Sequence, residues 1–250
     1  MIKKLAALVL AALSLAGTAR AAEQAIAFKS GVADQGSGLL VTPDGKGPFP
    51  AVVVIQEWWG LSDWVKDQAR ALGKEGYVAL AVDLYRGKVT TDKDLAHQYM
   101  MGMPDERAAA DLAGAFATLA ARAEVKKDRI GSIGWCMGGK WSLRLAMSEP
   151  TLAAAVVYYG AMPTKAEDIA SIKAPVLGNF GGDDQGPAPD QVKAFEAAMK
   201  AAGKTIDVKI YDGAGHAFAN VNNPWGGYRE AAAKDASART SAFLAKYLKK

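Results

Sequence analysis

Residues 134–139 read Gly134-Trp135-Cys136-Met137-Gly138-Gly139, set between a β-prone run, Arg129 to Trp135, and a helix-prone one, Gly139 to Ser148. Cys136 therefore falls on a sharp strand-to-helix turn. Glycines two before and two after it permit a tight backbone there. Such an elbow lifts one side chain clear of a sheet and aims a helix N-terminus at it, which favours the thiolate, the reactive form of cysteine. Cys136 is the sole cysteine of 250 residues, so no intrachain disulfide accounts for it. The competing reading is a small apolar residue wedged between a strand and a helix.

Outward from the elbow the chain alternates. Short leading strands are expected at Ala25 to Ser30 and Leu39 to Thr42, then buried strands at Ala51 to Ile55, Tyr77 to Val82, Ala153 to Tyr159, Ala174 to Phe180 and Thr205 to Tyr211. Helices are expected at Ser62 to Gly73, Asp92 to Met101, Pro104 to about Ala123, Asp190 to Ala202 and Tyr228 to Tyr247. The run Ala51-Val52-Val53-Val54-Ile55 has no polar face, as in a strand covered on both sides. Strands alternating with helices predict an α/β fold, a mostly parallel central sheet with helices on both faces. Ligands of such sheets bind beyond the C-terminal strand ends. Glu57, Arg86, Cys136, Asp184 and His216 all follow expected strands, so all five converge on one edge.

A cysteine nucleophile needs a base, and the base an orienting carboxylate. Of two histidines, His97 lies within a helical stretch and reads as a surface residue, whereas His216 lies in a Gly-rich turn after a strand. The carboxylate is expected after a strand between Cys136 and His216, where Asp183 and Asp184 both qualify by spacing. Two histidines without a ligand cluster predict no metal site, and no cofactor is expected.

Five motifs together carry a resemblance: Gln56-Glu57-Trp58-Trp59-Gly60, Asp83-Leu84-Tyr85-Arg86, the elbow, Gly181-Gly182-Asp183-Asp184, and Gly215-His216-Ala217-Phe218-Ala219-Asn220. In this order they resemble the dienelactone hydrolase family of the α/β-hydrolase superfamily, across essentially the whole chain after residue 21. The resemblance implies lactone or ester hydrolysis with Cys136 as nucleophile, His216 as base and Asp184 as acid, Asp183 remaining the second choice. It implies that Glu57 hydrogen-bonds the resting thiol; a strand-end carboxylate paired with Arg86 is the plainer alternative. It implies an oxyanion hole from the N–H groups of Met137 and Trp58, and substrate contacts from Tyr85, Arg86 and Asn220. Two departures stand out. Arg86 comes one residue earlier than the family's first substrate-binding arginine, and Asn220 occupies the place of the second. Half of a carboxylate clamp is thus missing, which opens the site to a neutral or differently charged substrate. Trp58, Trp59, Trp135, Phe218 and Trp225 are further pocket candidates, and Trp141 reads as core.

Half the residues are hydrophobic and 22% charged, the profile of one globular domain, here 22–250. Lys3 and Lys4, the apolar run Leu5 to Leu15, and Ala19-Arg20-Ala21 have the form of a secretory signal peptide over 1–21, which places the mature chain in the periplasm or outside the cell. Loss of Lys3, Lys4 and Arg20 lowers the formal net charge from +4 by three, to +1. No basic cluster interleaved with aromatics remains, so nucleic acid is not an expected partner, nor is a membrane after cleavage. The expected partner is a small ester or lactone, met by a monomer. Two rivals remain: a ligand-binding protein on a hydrolase fold without turnover, and a redox-sensing thiol.

Overall fold

The structure, a computed structural model, describes residues 22–31 and 34–250. The expected signal peptide, 1–21, lies outside them. The described strands are β1 (Ala22–Lys29), β2 (Gln35–Thr42), β3 (Phe49–Ile55), β4 (Val78–Val82), β5 (Val125–Trp135), β6 (Ala154–Tyr158), β7 (Val176–Gly181) and β8 (Ile206–Tyr211). They form one sheet in the order β1-β2-β4-β3-β5-β6-β7-β8. β1 and β2 are antiparallel additions at one edge, and every pair from β4 to β8 is parallel.

Each buried strand divides its side chains between two cores. Ala51, Val53 and Ile55 of β3 and Val78, Leu80 and Val82 of β4 face one side. Val52, Val54, Ala79 and Ala81 face the other. The first side is covered by α3 (Asp105–Ala121), α4 (Met137–Ser148), α5 (Ala166–Ser171) and α6 (Pro189–Ala201), through Leu112, Trp141, Ile169 and Phe195. The second is covered by α1 (Asp63–Lys74) and α7 (Glu230–Leu248), through Trp64, Val65, Phe243 and Leu244. Apolar layers on both faces are why these strands carry no polar alternation. The remaining helix, α2 (Lys93–Met101), buries only Ala96 and carries His97 exposed, as expected of a surface histidine.

Several boundaries differ from the sequence reading, and one helix is additional to it. β2 and β5 begin at Gln35 and Val125, each four residues early. α4 begins at Met137 rather than Gly139, because Gly138 and Gly139 are helical in spite of their low propensity. They are there for close approach: a Cβ on Gly138 would collide with the Ile55 and Gln56 carbonyl oxygens, and one on Gly134 with the Gly138 carbonyl. α5, at six residues, is too short to announce itself by periodicity.

Candidate active site

The site begins with backbone strain. Cys136, at the N-cap of α4, has φ 54° and ψ −117°, a region that L-residues rarely occupy. Its N–H donates to the Tyr158 carbonyl at 3.0 Å, and its own carbonyl accepts the Gly139 N–H at 3.0 Å. These bonds pin the elbow between β6 and α4. Among the described residues, the other non-glycine residues with positive φ are Arg86, Tyr159 and Ala217, each in the connection that follows a parallel strand of the same sheet. Strain is thus gathered beyond the C-terminal strand ends.

His216 stands in the turn after β8. Its Nδ1 lies 2.8 Å from Asp184 Oδ2, which leaves Nε2 as the nitrogen free of Asp184. Burial pulls the His216 pKa down, but the hydrogen bond to Asp184 and the influence of the nearby Cys136 together outweigh it and carry it to about 10. Asp184 is buried, at 2% exposure, and its other oxygen accepts the Gly186 N–H at 2.8 Å. Asp183 is exposed, and its backbone N–H bonds the Ala214 carbonyl. Of the two carboxylates, Asp184 is the one that meets His216.

Glu57 follows β3 and is 1% exposed. Its Oε2 accepts from Asn220 Nδ2 at 2.5 Å and its Oε1 from the Tyr159 hydroxyl at 3.4 Å. Burial raises its pKa to about 7, against the hydrogen bond from Asn220, the charge of His216 and the hydrogen bond from Tyr159. The expected bond partner, the thiol, is therefore replaced by Asn220 and Tyr159. Tyr159 was missed in sequence; its ring lies 5.1 Å from that of His216. Its position at the end of β6, before Gly160, is the signal that could have marked it.

Two expected substrate contacts need correction. Arg86 forks onto the fully buried Asp111 of α3 at 2.8 and 2.9 Å and reaches Asp34 at 3.1 Å. Its positive φ of 56° accompanies this turn toward α3, and the guanidinium is a structural tie rather than a free anion receptor, paired neither with Glu57 nor with the site. Asn220 has its amide bonded to Glu57, not presented to a ligand. The Tyr85 hydroxyl lies 3.2 Å from Met137 Sδ, and burial, then the Cys136 charge, raises its pKa.

The rings of Trp58, Trp59 and Trp225 meet edge-to-face at 5.0 to 5.2 Å. Trp225 is 53% exposed, and Lys93 of α2 sits 5.4 Å from its ring centroid. Trp135 packs against Trp64, Phe218 is buried beside Tyr159, and Trp141 is core. The first turn of α4 abuts the end of β3 at Ile55 and Gln56, so the segments carrying the Met137 and Trp58 N–H groups are in contact. Among the described residues, no group of three or more His, Cys, Asp or Glu side chains is set to hold a metal, and no helix is long and apolar enough to cross a membrane.

A family model described as the dienelactone hydrolase family matches residues 37–248. A protein of Methylorubrum extorquens that bears carboxymethylenebutenolidase as a provisional name is 35% identical over 215 residues, covering 80% of this chain and 73% of that one. A Klebsiella pneumoniae crystal structure, titled provisionally as a dienelactone hydrolase, is 29% identical and superposes with a TM-score of 0.79 over 90% of this chain and all of its own. A structure from metagenomic libraries, titled as a dienelactone hydrolase-like promiscuous phosphotriesterase, is 26% identical, with a TM-score of 0.83 over 92% of this chain and 99% of its own.

Proposed function

Because this chain belongs to the dienelactone hydrolase family, we propose that it hydrolyses small lactones or carboxylic esters through Cys136, His216 and Asp184, by way of a thioester. The observation that carries the reading is the 2.8 Å contact of Asp184 with His216 Nδ1, which leaves the other ring nitrogen for Cys136 on its strained elbow.

The protonated imidazole of His216 is the form that pairs with a thiolate. The Cys136 sulfur attacks the substrate carbonyl carbon; a C–S bond forms and the carbonyl electron pair moves to oxygen. The oxyanion is held by the Met137 N–H, left free at the start of α4 as in any helix, and by the Trp58 N–H. Donors of this kind are worth about 3 to 4 kcal/mol each in other hydrolases. Collapse breaks the carbonyl carbon–oxygen bond of the ester, and His216 gives its proton to the departing alkoxide. In a lactone that alkoxide stays tethered. Acylation removes the influence of the sulfur that helps hold the His216 pKa up. The imidazole is then free to take a proton from water, which attacks the thioester, releasing the acid and restoring Cys136. Asp184 holds the Nδ1 proton throughout, fixing the tautomer.

With Arg86 tied to Asp111 and Asn220 to Glu57, a substrate without its own carboxylate fits the site better than one that carries it. The leader-like residues 1–21 support export, so the substrate would be met in the periplasm or outside the cell. The experiment is turnover of p-nitrophenyl acetate and of a neutral and a carboxylated lactone by the purified chain and by Cys136→Ala. Turnover abolished in the variant, with the neutral lactone preferred, is the expected result. Equal turnover by the variant would remove Cys136 from the chemistry, and preference for the carboxylated lactone would overturn the substrate assignment.

A further inference from the structure

Asn220 is 2% exposed, and its amide is held in one orientation. Oδ1 accepts the Asn222 N–H at 2.8 Å, which leaves Nδ2 to donate to Glu57 Oε2. A flip would set a carbonyl oxygen against a carboxylate and an NH2 group against an N–H. The backbone fixes the residue further: its N–H donates to the Ala217 carbonyl at 3.0 Å, and its carbonyl accepts from Asn223 at 3.2 Å. Asn220 is therefore a rigid donor, built into the turn that also carries His216.

Its acceptor is a carboxylate that burial alone would neutralise. The groups that face Glu57 come from three elements. Tyr159, after β6, donates its hydroxyl and stays neutral, its own pKa raised well above the usual value by burial and then by the charges of Glu57 and Cys136. His216, after β8, contributes an opposite charge. Cys136, on the elbow, lies near enough to His216 to raise its pKa. Arg86, the cation nearest in sequence to the end of β4, is committed to Asp111. The Asn220 hydrogen bond is the largest influence opposing the burial of Glu57.

We infer that Asn220 is a positioning residue: its amide keeps the Glu57 carboxylate charged and aimed at Tyr159 and Asn220 itself, so that Glu57 serves as a fixed anion facing His216 and the thiol is left to His216. The inference rests on the hydrolase reading for its consequence, since a fixed anion beside His216 favours the imidazolium that protonates the leaving alkoxide. Without the Asn220 N–H, burial prevails further and Glu57 takes up its proton at a pH above the wild-type midpoint of about 7.

The test titrates Glu57 directly. Its carboxyl C=O infrared band, identified by its loss in Glu57→Gln, is followed against pH in the wild type, in Asn220→Leu, which removes the donor at similar volume, and in the isosteric Asn220→Asp, which replaces it with a like charge. The expected result is a wild-type midpoint near 7 and a midpoint higher by about one pH unit or more in whichever variants fold. The acid limb of kcat/KM for p-nitrophenyl acetate moves up with it at unchanged KM. In a Glu57→Gln background, Asn220→Leu lowers kcat/KM by less than about twofold further, because the residue acts through Glu57. An unmoved midpoint overturns the inference, as does a uniform loss of activity without displacement of the limb, or the full Asn220→Leu penalty in the Glu57→Gln background. A displaced midpoint in a chain with no Cys136-dependent turnover upholds the Asn220–Glu57 couple and overturns the hydrolase reading instead.

Discussion

Glu57→Gln should make this protein more stable as the pH rises, and less active. Glu57 is an acid whose folded-state pKa, about 7, lies above its ordinary value of 4.5. Between those values the folded state holds a proton that the unfolded chain has released, so stability falls with rising pH across that window and the full penalty stands above it. Integrated from pH 5 to pH 8, the burden is about 2 to 3 kcal/mol, at about 1.4 kcal/mol per pKa unit. The value of about 7 already includes the attraction of His216 and the two hydrogen bonds, so nothing is added for them. Glutamine has nearly the same shape and no charge. Its loss of hydrogen bonding is a constant offset, while the pH-dependent part is the signature. The assay is urea unfolding of both proteins at half-unit steps from pH 5 to 8, with m-values compared to exclude a change in the unfolded state. The stability difference should swing toward the variant by about 2 to 3 kcal/mol over that range. A difference that stays flat would refute the argument, because it would mean that Glu57 titrates alike in both states. A carboxylate retained at such an expense to stability is expected of a functional group.

Asp184→Asn should lower the His216 pKa from about 10, draw the alkaline limb of the rate profile to lower pH and reduce kcat/KM by about 10²- to 10⁴-fold. His216 has a folded pKa above its ordinary 6.5, so its stabilisation is complete below that pH and vanishes as pH rises through about 10; the unfolding deficit of the variant should be greatest in acid and shrink in alkali. Arg86→Ala should leave the KM for a neutral ester within about twofold yet destabilise by about 3 kcal/mol, since Asp111 is stranded as a buried charge; urea unfolding alongside kinetics decides, and a raised KM at unchanged stability would return Arg86 to the substrate. Trp225→Ala should cut kcat/KM for a naphthyl ester about fivefold while sparing the acetate ester, in line with about 1 kcal/mol for an aromatic pair; equal losses on both would make Trp225 a structural prop only.

The strand ends were legible because burial on both faces writes a continuous apolar run, and the runs of β3 and β4 stop at Gln56 and Asp83. The elbow was legible because close backbone approach admits only glycine at 134 and 138. What stayed hidden depends on contacts that no local pattern encodes. Asp183 and Asp184 are equivalent in spacing, and only the fold of the turn after β7 sends one to His216 and the other to solvent. Arg86 follows its strand as expected, but a buried carboxylate on α3, 25 positions along the chain, captures it. Glu57 meets Tyr159 across 102 positions and Asn220 across 163, so the roles of both partners are set by topology alone.

That separation has a consequence for how activity appears. On the proposed reading, the chemistry draws on Glu57 from the end of β3 and Asn220 from beyond β8, with the intervening strands stacked edge to edge between them. No contiguous fragment short of that span holds the site, and loop closure over such distances must precede any reward from the contact. Recovered turnover after refolding should therefore lag behind recovered helical signal and coincide with burial of the last strand. Enzymatic activity is in this sense a reporter of complete assembly, silent in any partly formed sheet.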